Sequence, residues 1–179
     1  MKFALILNAH LESDIMYKAT VITISDRCYK KDREDLAGPA VKKLLLSKGY
    51  LVGDIIIVPD DKEMIINALN TCVKRDIPLI ITTGGTGFSK RDITPECTKE
   101  IIEREAPGIS EYMRYKSMQI TKRGMLSRGV CGIKNQSLII NLPGSPKAAV
   151  ENLGFVIDTL EHGLKMLLTD SADCASEKD

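Results

Sequence analysis

Imidazole is scarce in this chain: only His10 and His162 occur among 179 residues. One lies near the start and the other inside an expected helix, too few for a Ser-His-Asp triad or a histidine-based zinc site. The five cysteines, Cys28, Cys72, Cys97, Cys131 and Cys174, include no Cys-x-x-Cys pair, which points to reduced thiols and a cytoplasmic setting. No segment approaches the ~20 apolar residues that a membrane-spanning helix requires. The opening apolar run from Met1 to Leu7 is broken by Asn8, His10, Glu12 and Asp14, and no small-residue cleavage site follows it. Charge of one sign is also lacking. Lys and Arg number 25 against 24 Asp and Glu, so no global field suits a nucleic-acid or membrane partner, and any anion must be held by local geometry.

A hydrophobic fraction of 44% and a charged fraction of 27% are ordinary for a folded domain, and the length is enough to bury a core without staples. Ala19 to Ser25 is a β-branched run suited to a buried parallel strand. After a polar loop, Pro39 opens a helix with Val41, Leu44 and Leu45 on one face, and Gly49 stops it. Leu51 to Val58 forms the second expected strand, followed by a helix carrying Ile65, Ala68, Leu69, Cys72 and Val73 on one side. Leu79 to Thr83 gives a third strand, and Thr94-Pro95-Glu96 marks another helix start. A polar helix is expected over Ser110 to Ile120. Val130 to Ile133 and Ser137 to Leu142 pattern as a hairpin turning at Lys134-Asn135-Gln136. A long last helix follows Pro146 and reaches about Leu168. This alternation predicts an α/β fold: a three-layer, doubly wound, mostly parallel sheet with helices on both faces and one short antiparallel hairpin. The expected organisation is an extension over 1–17, one domain over 18–168 and a tail over 169–179.

Ligands of such sheets sit beyond the carboxyl ends of the strands, and the informative residues fall there. Thr82-Thr83-Gly84-Gly85-Thr86-Gly87 can aim backbone N–H groups and hydroxyls at a phosphate, although the same residues also fit a plain tight turn. It is neither a dinucleotide fingerprint nor a P-loop. Asn141-Leu142-Pro143-Gly144-Ser145-Pro146-Lys147 is a second loop of this type. Ser145 stands at the cap of the last helix, and Lys147 in its first turn is unfavourable to the helix dipole unless an anion lies nearby. Asp60 follows the second strand and Asp92 the third, with Asp26 after the first. Carboxylates beside phosphate-type loops suggest Mg²⁺, which binds one or two acids plus substrate phosphates. Asp60-Asp61-Lys62-Glu63 also fits a capping box, whereas Asp92 has Thr94 nearby as an alternative cap. Lys90, Arg91 and Arg128 bring positive charge to the same loops.

Six blocks in order carry a resemblance: Ile24-Ser25-Asp26-Arg27, Pro59-Asp60-Asp61, Thr82 to Gly87, Arg91 to Glu96, Met125-Leu126-Ser127-Arg128 and Leu138 to Lys147. Together they resemble the MogA/MoaB-like molybdopterin-binding domain, also found within gephyrin-type proteins, over roughly Lys18 to Leu168. The resemblance implies Mg-dependent transfer of an adenylyl group from ATP to molybdopterin, releasing pyrophosphate. It implies catalytic and metal-holding roles for Asp60 and Asp92. Substrate binding falls to Ser25, Asp26, Thr83, Gly84, Gly85, Thr86, Gly87, Ser127, Arg128, Pro143, Gly144, Ser145 and Lys147. It further implies a homotrimer, with a hexamer as the alternative, and a contact with a molybdenum insertase. The extension over 1–17 departs from the family pattern.

The chemistry accommodates the shortage of histidine. A phosphate monoester has a second pKa of about 6, so the pterin phosphate is mostly dianionic at neutral pH and needs no general base. Catalysis then reduces to positioning and charge neutralisation. A non-catalytic pterin-presenting module and a nucleotide pyrophosphohydrolase are the alternatives compatible with the same loops.

Overall fold

The computed structural model describes residues 16–169, and within them seven strands make one sheet. These are β1 (Lys18–Ile24), β2 (Leu51–Val52), β3 (Ile56–Val58), β4 (Leu79–Thr83), β5 (Arg104–Glu105), β6 (Cys131–Lys134) and β7 (Ser137–Leu142). Helices α1 (Asp26–Tyr29), α2 (Ala37–Ser47), α3 (Lys62–Lys74), α4 (Thr94–Ile101), α5 (Pro107–Ile120) and α6 (Pro146–Leu168) connect them, with a 3₁₀ turn over Lys122–Leu126. The sheet order is β2-β1-β4-β7-β6-β5, with β3 also pairing β1. β1, β2, β3, β4 and β7 run parallel, and β6 is antiparallel to both β7 and β5. The expected extension over 1–17, apart from Met16 and Tyr17, and the tail beyond Thr169 lie outside the described residues. Tyr17 itself is buried, its ring centroid 6.5 Å from that of Tyr50.

β4 and β7 are buried along their whole lengths because helices cover both faces, which is what an unbroken β-branched run requires. On one face Val41 and Leu45 of α2, Met113 of α5 and Leu153, Ile157 and Leu160 of α6 pack on Val21, Ile81 and Ile140. On the other, Ile65, Leu69 and Val73 of α3 and Cys97 and Ile101 of α4 pack on Ile22, Ile80 and Ile139. Two apolar layers therefore sandwich the sheet. The expected architecture is the observed one.

Some local expectations give way. The second strand is two short pieces, interrupted at Gly53-Asp54-Ile55, where neither sheet pairing nor full burial holds the chain. Helix α2 begins two residues before Pro39, because Asp35 Oδ1 accepts from the N–H groups of Ala37 (3.1 Å) and Gly38 (3.0 Å). β5 is a two-residue strand with no sequence signature, drawn in by the edge of β6. The hairpin turns as expected, with Asn135 at a φ of 50°.

Candidate functional site

Register sets the site. Ile24 pairs with Val58 and Thr83 with both Thr23 and Leu142, so β1, β3, β4 and β7 end together at one rim. The loops that follow them contain Ser25-Asp26, Pro59-Asp60, Gly84 to Asp92 and Pro143 to Ser145. Tertiary hydrogen bonds hold these loops side by side. Thr83 Oγ1 donates to the Pro143 carbonyl at 2.8 Å, and Gly84 N–H to that of Leu142 at 3.2 Å. Gly84 has a φ of +104° and approaches β1 so closely that a Cβ there would stand 2.2 Å from the Ile24 carbonyl oxygen. Gly85, at a φ of +63°, is pinned by Thr94, whose N–H donates to the Gly85 carbonyl at 3.1 Å and whose hydroxyl donates to that of Gly84 at 2.9 Å. Thr94 is therefore not the cap of α4; Ile93 occupies that position with no side-chain cap bond.

Two clefts open on this rim, of about 640 and 570 Å³, within the usual size of small-molecule sites. The first is bounded by Ser25, Asp26, Asp35, Asp60 and Thr83 and carries three arginines, Arg27, Arg33 and Arg91. The second lies between the glycine loop and α5 and α6, with Thr86, Gly87, Ser117, Arg123, Ser127, Pro143 and Asn152 on its walls. Gly85, Asp92, Gly144 and Ser145 line both. The clefts are thus neighbours across a wall built from the loop after β4 and the turn after β7.

The carboxylates have distinct settings. Asp26 and Asp60 are tied reciprocally: Asp26 N–H donates to Asp60 Oδ2 at 2.9 Å and Asp60 N–H to Asp26 Oδ1 at 3.1 Å. Arg91 also pairs with Asp26 Oδ2. Burial holds the Asp60 carboxyl above its ordinary range, and the negative charges of Asp26 and Asp92 add to that rise, against the Asp26 N–H bond and Arg91. The helix cap that the sequence offered to Asp60 is made instead by Asp61, which accepts from Met64 N–H at 3.0 Å. Asp92 Oδ2 accepts from Ser89 N–H at 2.8 Å, closing a small loop. Asp60 and Asp92 line the same cleft. Among the described residues no cluster of three or more His, Cys, Asp or Glu forms a ready metal cage.

Three expected site residues stand differently from expectation. Lys147 lines neither cleft; its side chain is 81% exposed and its amine lies 3.8 Å from Glu151, so its place in the first helical turn is offset by an i,i+4 pair. Ser145 precedes α6 but makes no side-chain cap bond, leaving its hydroxyl on the wall between the clefts. Arg128 is turned onto the protein, with Nε donating to the Gly87 carbonyl at 2.6 Å and its other nitrogens to the Asp92 carbonyl and the Glu96 carboxylate. Lys90 lies outside both clefts. Sequence reading passed over Arg27, Arg33 and Asp35 in the first cleft and Ser117, Arg123 and Asn152 in the second. Local signals existed for Asp35, just before a proline-containing helix start, and for Arg27, which closes the Ile24-Ser25-Asp26-Arg27 block.

Residues 20–162 match the family described as "Probable molybdopterin binding domain". A molybdopterin adenylyltransferase of Helicobacter pylori is 39% identical over 153 residues, covering 83% of this chain and 86% of that protein. The molybdenum cofactor synthesis protein cinnamon of Drosophila melanogaster is also 39% identical, over 154 residues, but this chain spans only 25% of its length. Among solved structures, the molybdopterin biosynthesis enzyme MoaB of Thermus thermophilus superposes with a TM-score of 0.81 at 39% identity, covering 85% of this chain and 96% of that one.

Proposed function

This chain belongs to the molybdopterin-binding domain family, and we propose from that premise that it is a nucleotidyltransferase moving an adenylyl group from ATP to molybdopterin. The observation that carries the reading is the wall common to both clefts, formed by Gly85, Asp92, Gly144 and Ser145. Two substrates lying in adjacent clefts would meet only there. The first cleft, rich in both acids and arginines, suits a metal-bound triphosphate. The second, with Arg123 as its arginine, suits a pterin and its terminal phosphate.

The reaction needs little covalent help from the protein. An oxygen of the pterin phosphate attacks the α-phosphorus of ATP, the bond from that phosphorus to the bridging oxygen breaks, and pyrophosphate leaves with the electron pair. Both partners are anionic, so positioning and charge decide the rate. Gly84 and Gly85 present backbone at close range, and Arg27, Arg33 and Arg91 offset charge on the departing pyrophosphate. Ser127 and Ser117 offer hydroxyls to the pterin side.

Mg²⁺ fits the carboxylates. Asp60 is raised by burial and by two like charges, which a cation would relieve, and its Oδ1 accepts no hydrogen bond among the described residues. Asp92 likewise engages only Oδ2. Bound by these two acids and by phosphate oxygens, Mg²⁺ would supply neutralisation of the triphosphate. Assembly into a homotrimer belongs to the same reading. An apolar groove of about 440 Å³ between α5 and α6, bounded by Ile109, Tyr112, Phe155 and Leu160, offers a surface for a neighbouring copy to cover. Light scattering should give three times the 19.7 kDa of one chain.

Pyrophosphate release tests the proposal. It should require ATP, Mg²⁺ and molybdopterin together, and Asp92→Asn should lower it ~100-fold or more while leaving pterin binding within a few-fold. Asparagine keeps an acceptor for Ser89 N–H, so the loss would report on charge rather than on loop structure. Pterin binding without pyrophosphate would identify a presenting module, and ATP hydrolysis in the absence of pterin a pyrophosphohydrolase.

A further inference from the structure

We infer that Arg128 is a positioning residue: it staples the two ends of the Gly87–Asp92 loop and so fixes the Asp92 carboxylate on the wall between the clefts. The inference rests on the proposed role of Asp92. Its support is the disposition of the guanidinium. Nε donates to the Gly87 carbonyl at 2.6 Å, one terminal nitrogen to the Asp92 carbonyl and the other to the Glu96 carboxylate. The backbone joins in, with Arg128 N–H donating to the Thr86 carbonyl at 2.9 Å. Every nitrogen of the side chain thus already has a protein acceptor, and the fork grips the first and last carbonyls of the loop at once.

What lies between those ends is exposed and is tied to a neighbouring element through Arg91, which pairs with Asp26 Oδ2 on α1. Phe88 is 70% exposed, and Ser89, Lys90 and Arg91 are also exposed. Inside the loop the bonds are few: Asp92 Oδ2 with Ser89 N–H at 2.8 Å, Asp92 N–H with the Ser89 carbonyl at 2.9 Å, and the Ser89 hydroxyl with Arg91 N–H at 3.3 Å. Glu96, in the first turn of α4, anchors the far side of the guanidinium, so the staple connects the loop to a helix. Arginine is suited to this task because its planar fork reaches three acceptors in fixed directions. Lysine, with one ammonium centre, cannot span them.

The test uses the full chain with Arg128→Lys, Arg128→Ala and Glu96→Gln. Amide hydrogen exchange should quicken about 10-fold or more across 84–92 in both arginine variants, with β4 and β7 unchanged. Turnover should fall about 100-fold in Arg128→Ala and nearly as far in Arg128→Lys, with KM for either substrate within about threefold. Glu96→Gln, which keeps a neutral acceptor, should show both effects more weakly. A 10-fold rise in KM for one substrate with kcat kept and exchange unaltered would mean that Arg128 contacts that substrate, and the inference would be wrong. Unaltered exchange in all three variants would also overturn it. If Arg128→Ala does not fold, Arg128→Lys and Glu96→Gln carry the exchange measurement. The proposed role of Asp92 is judged separately: quickened exchange together with a fully active Asp92→Asn would leave the staple intact and remove that role.

Discussion

Gly84 and Gly49 both hold a positive φ, at +104° and +82°, but only one of them is crowded. A Cβ on Gly49 would meet nothing within 4 Å, whereas on Gly84 it would meet the Ile24 carbonyl oxygen at 2.2 Å. Alanine at Gly49 should therefore cost only the backbone strain, ~1–2 kcal/mol, while alanine at Gly84 should cost clearly more, since backbone must also move. Thermal denaturation of the two variants gives the comparison, and equal losses would contradict the close approach. Asp60 yields a prediction of opposite sign. Its carboxyl is raised by burial above the ordinary value of 3.8, so the folded state favours the protonated form. The stabilisation from that proton is complete below the unfolded value and is lost as pH rises through the folded one. At neutral pH the charge is thus a net penalty. Asp60→Asn should raise Tm at pH 7, with the gain shrinking as pH falls towards 3.8, while turnover is lost. A lower Tm at pH 7 would mean that the carboxylate is not penalised.

Among the elements, β4, β7 and the hairpin were readable because the period and turn signals that mark them are local. β5 was not, since two residues pair only because the edge of β6 lies beside them. Caps misled for a related reason. Thr94 is an ideal cap by composition, yet its hydroxyl goes to Gly84, ten residues away, and the bond that matters crosses from helix to loop. Arg128 is the same case at longer range, because nothing near it in sequence reveals that its acceptors are Gly87 and Asp92. Asn141 on β7 shows how much such bonds carry. Its buried amide donates to Thr82 Oγ1 of β4 at 3.0 Å and to Thr98 Oγ1 of α4 at 2.9 Å, and its Oδ1 accepts from Val130 N–H at 3.2 Å. Asn141→Ala removes all three bonds and leaves the buried partners without substitutes. A loss of ~2–4 kcal/mol in urea denaturation is expected, against ~1 kcal/mol if water can enter and replace them.

At the scale of the molecule, parallel strands ending at one rim put four loops in contact, and the contact between the glycine loop and the Pro143–Ser145 turn divides one opening into two clefts. The paired glycine-rich loops were visible in the sequence; the partition between clefts required their register. Gly144 lies on that partition close against the glycine loop, where a Cβ would stand 3.2 Å from the Gly84 Cα. Gly84 is itself held against Ile24, so the added methyl would have to move the Pro143–Ser145 turn by a few tenths of an ångström. Such a shift leaves most of each cleft intact but alters the separation of two groups meeting across the wall. Reaction rates are steep in that separation, with a misplacement of ~1 Å costing about 100-fold. Gly144→Ala should accordingly lower adenylyl transfer ~10-fold while the Kd of ATP and that of molybdopterin, each measured alone by calorimetry, stay within about threefold. If one Kd rises in proportion to the lost rate, Gly144 belongs to a single substrate's pocket. The two clefts would then not share the wall at which transfer is proposed to occur.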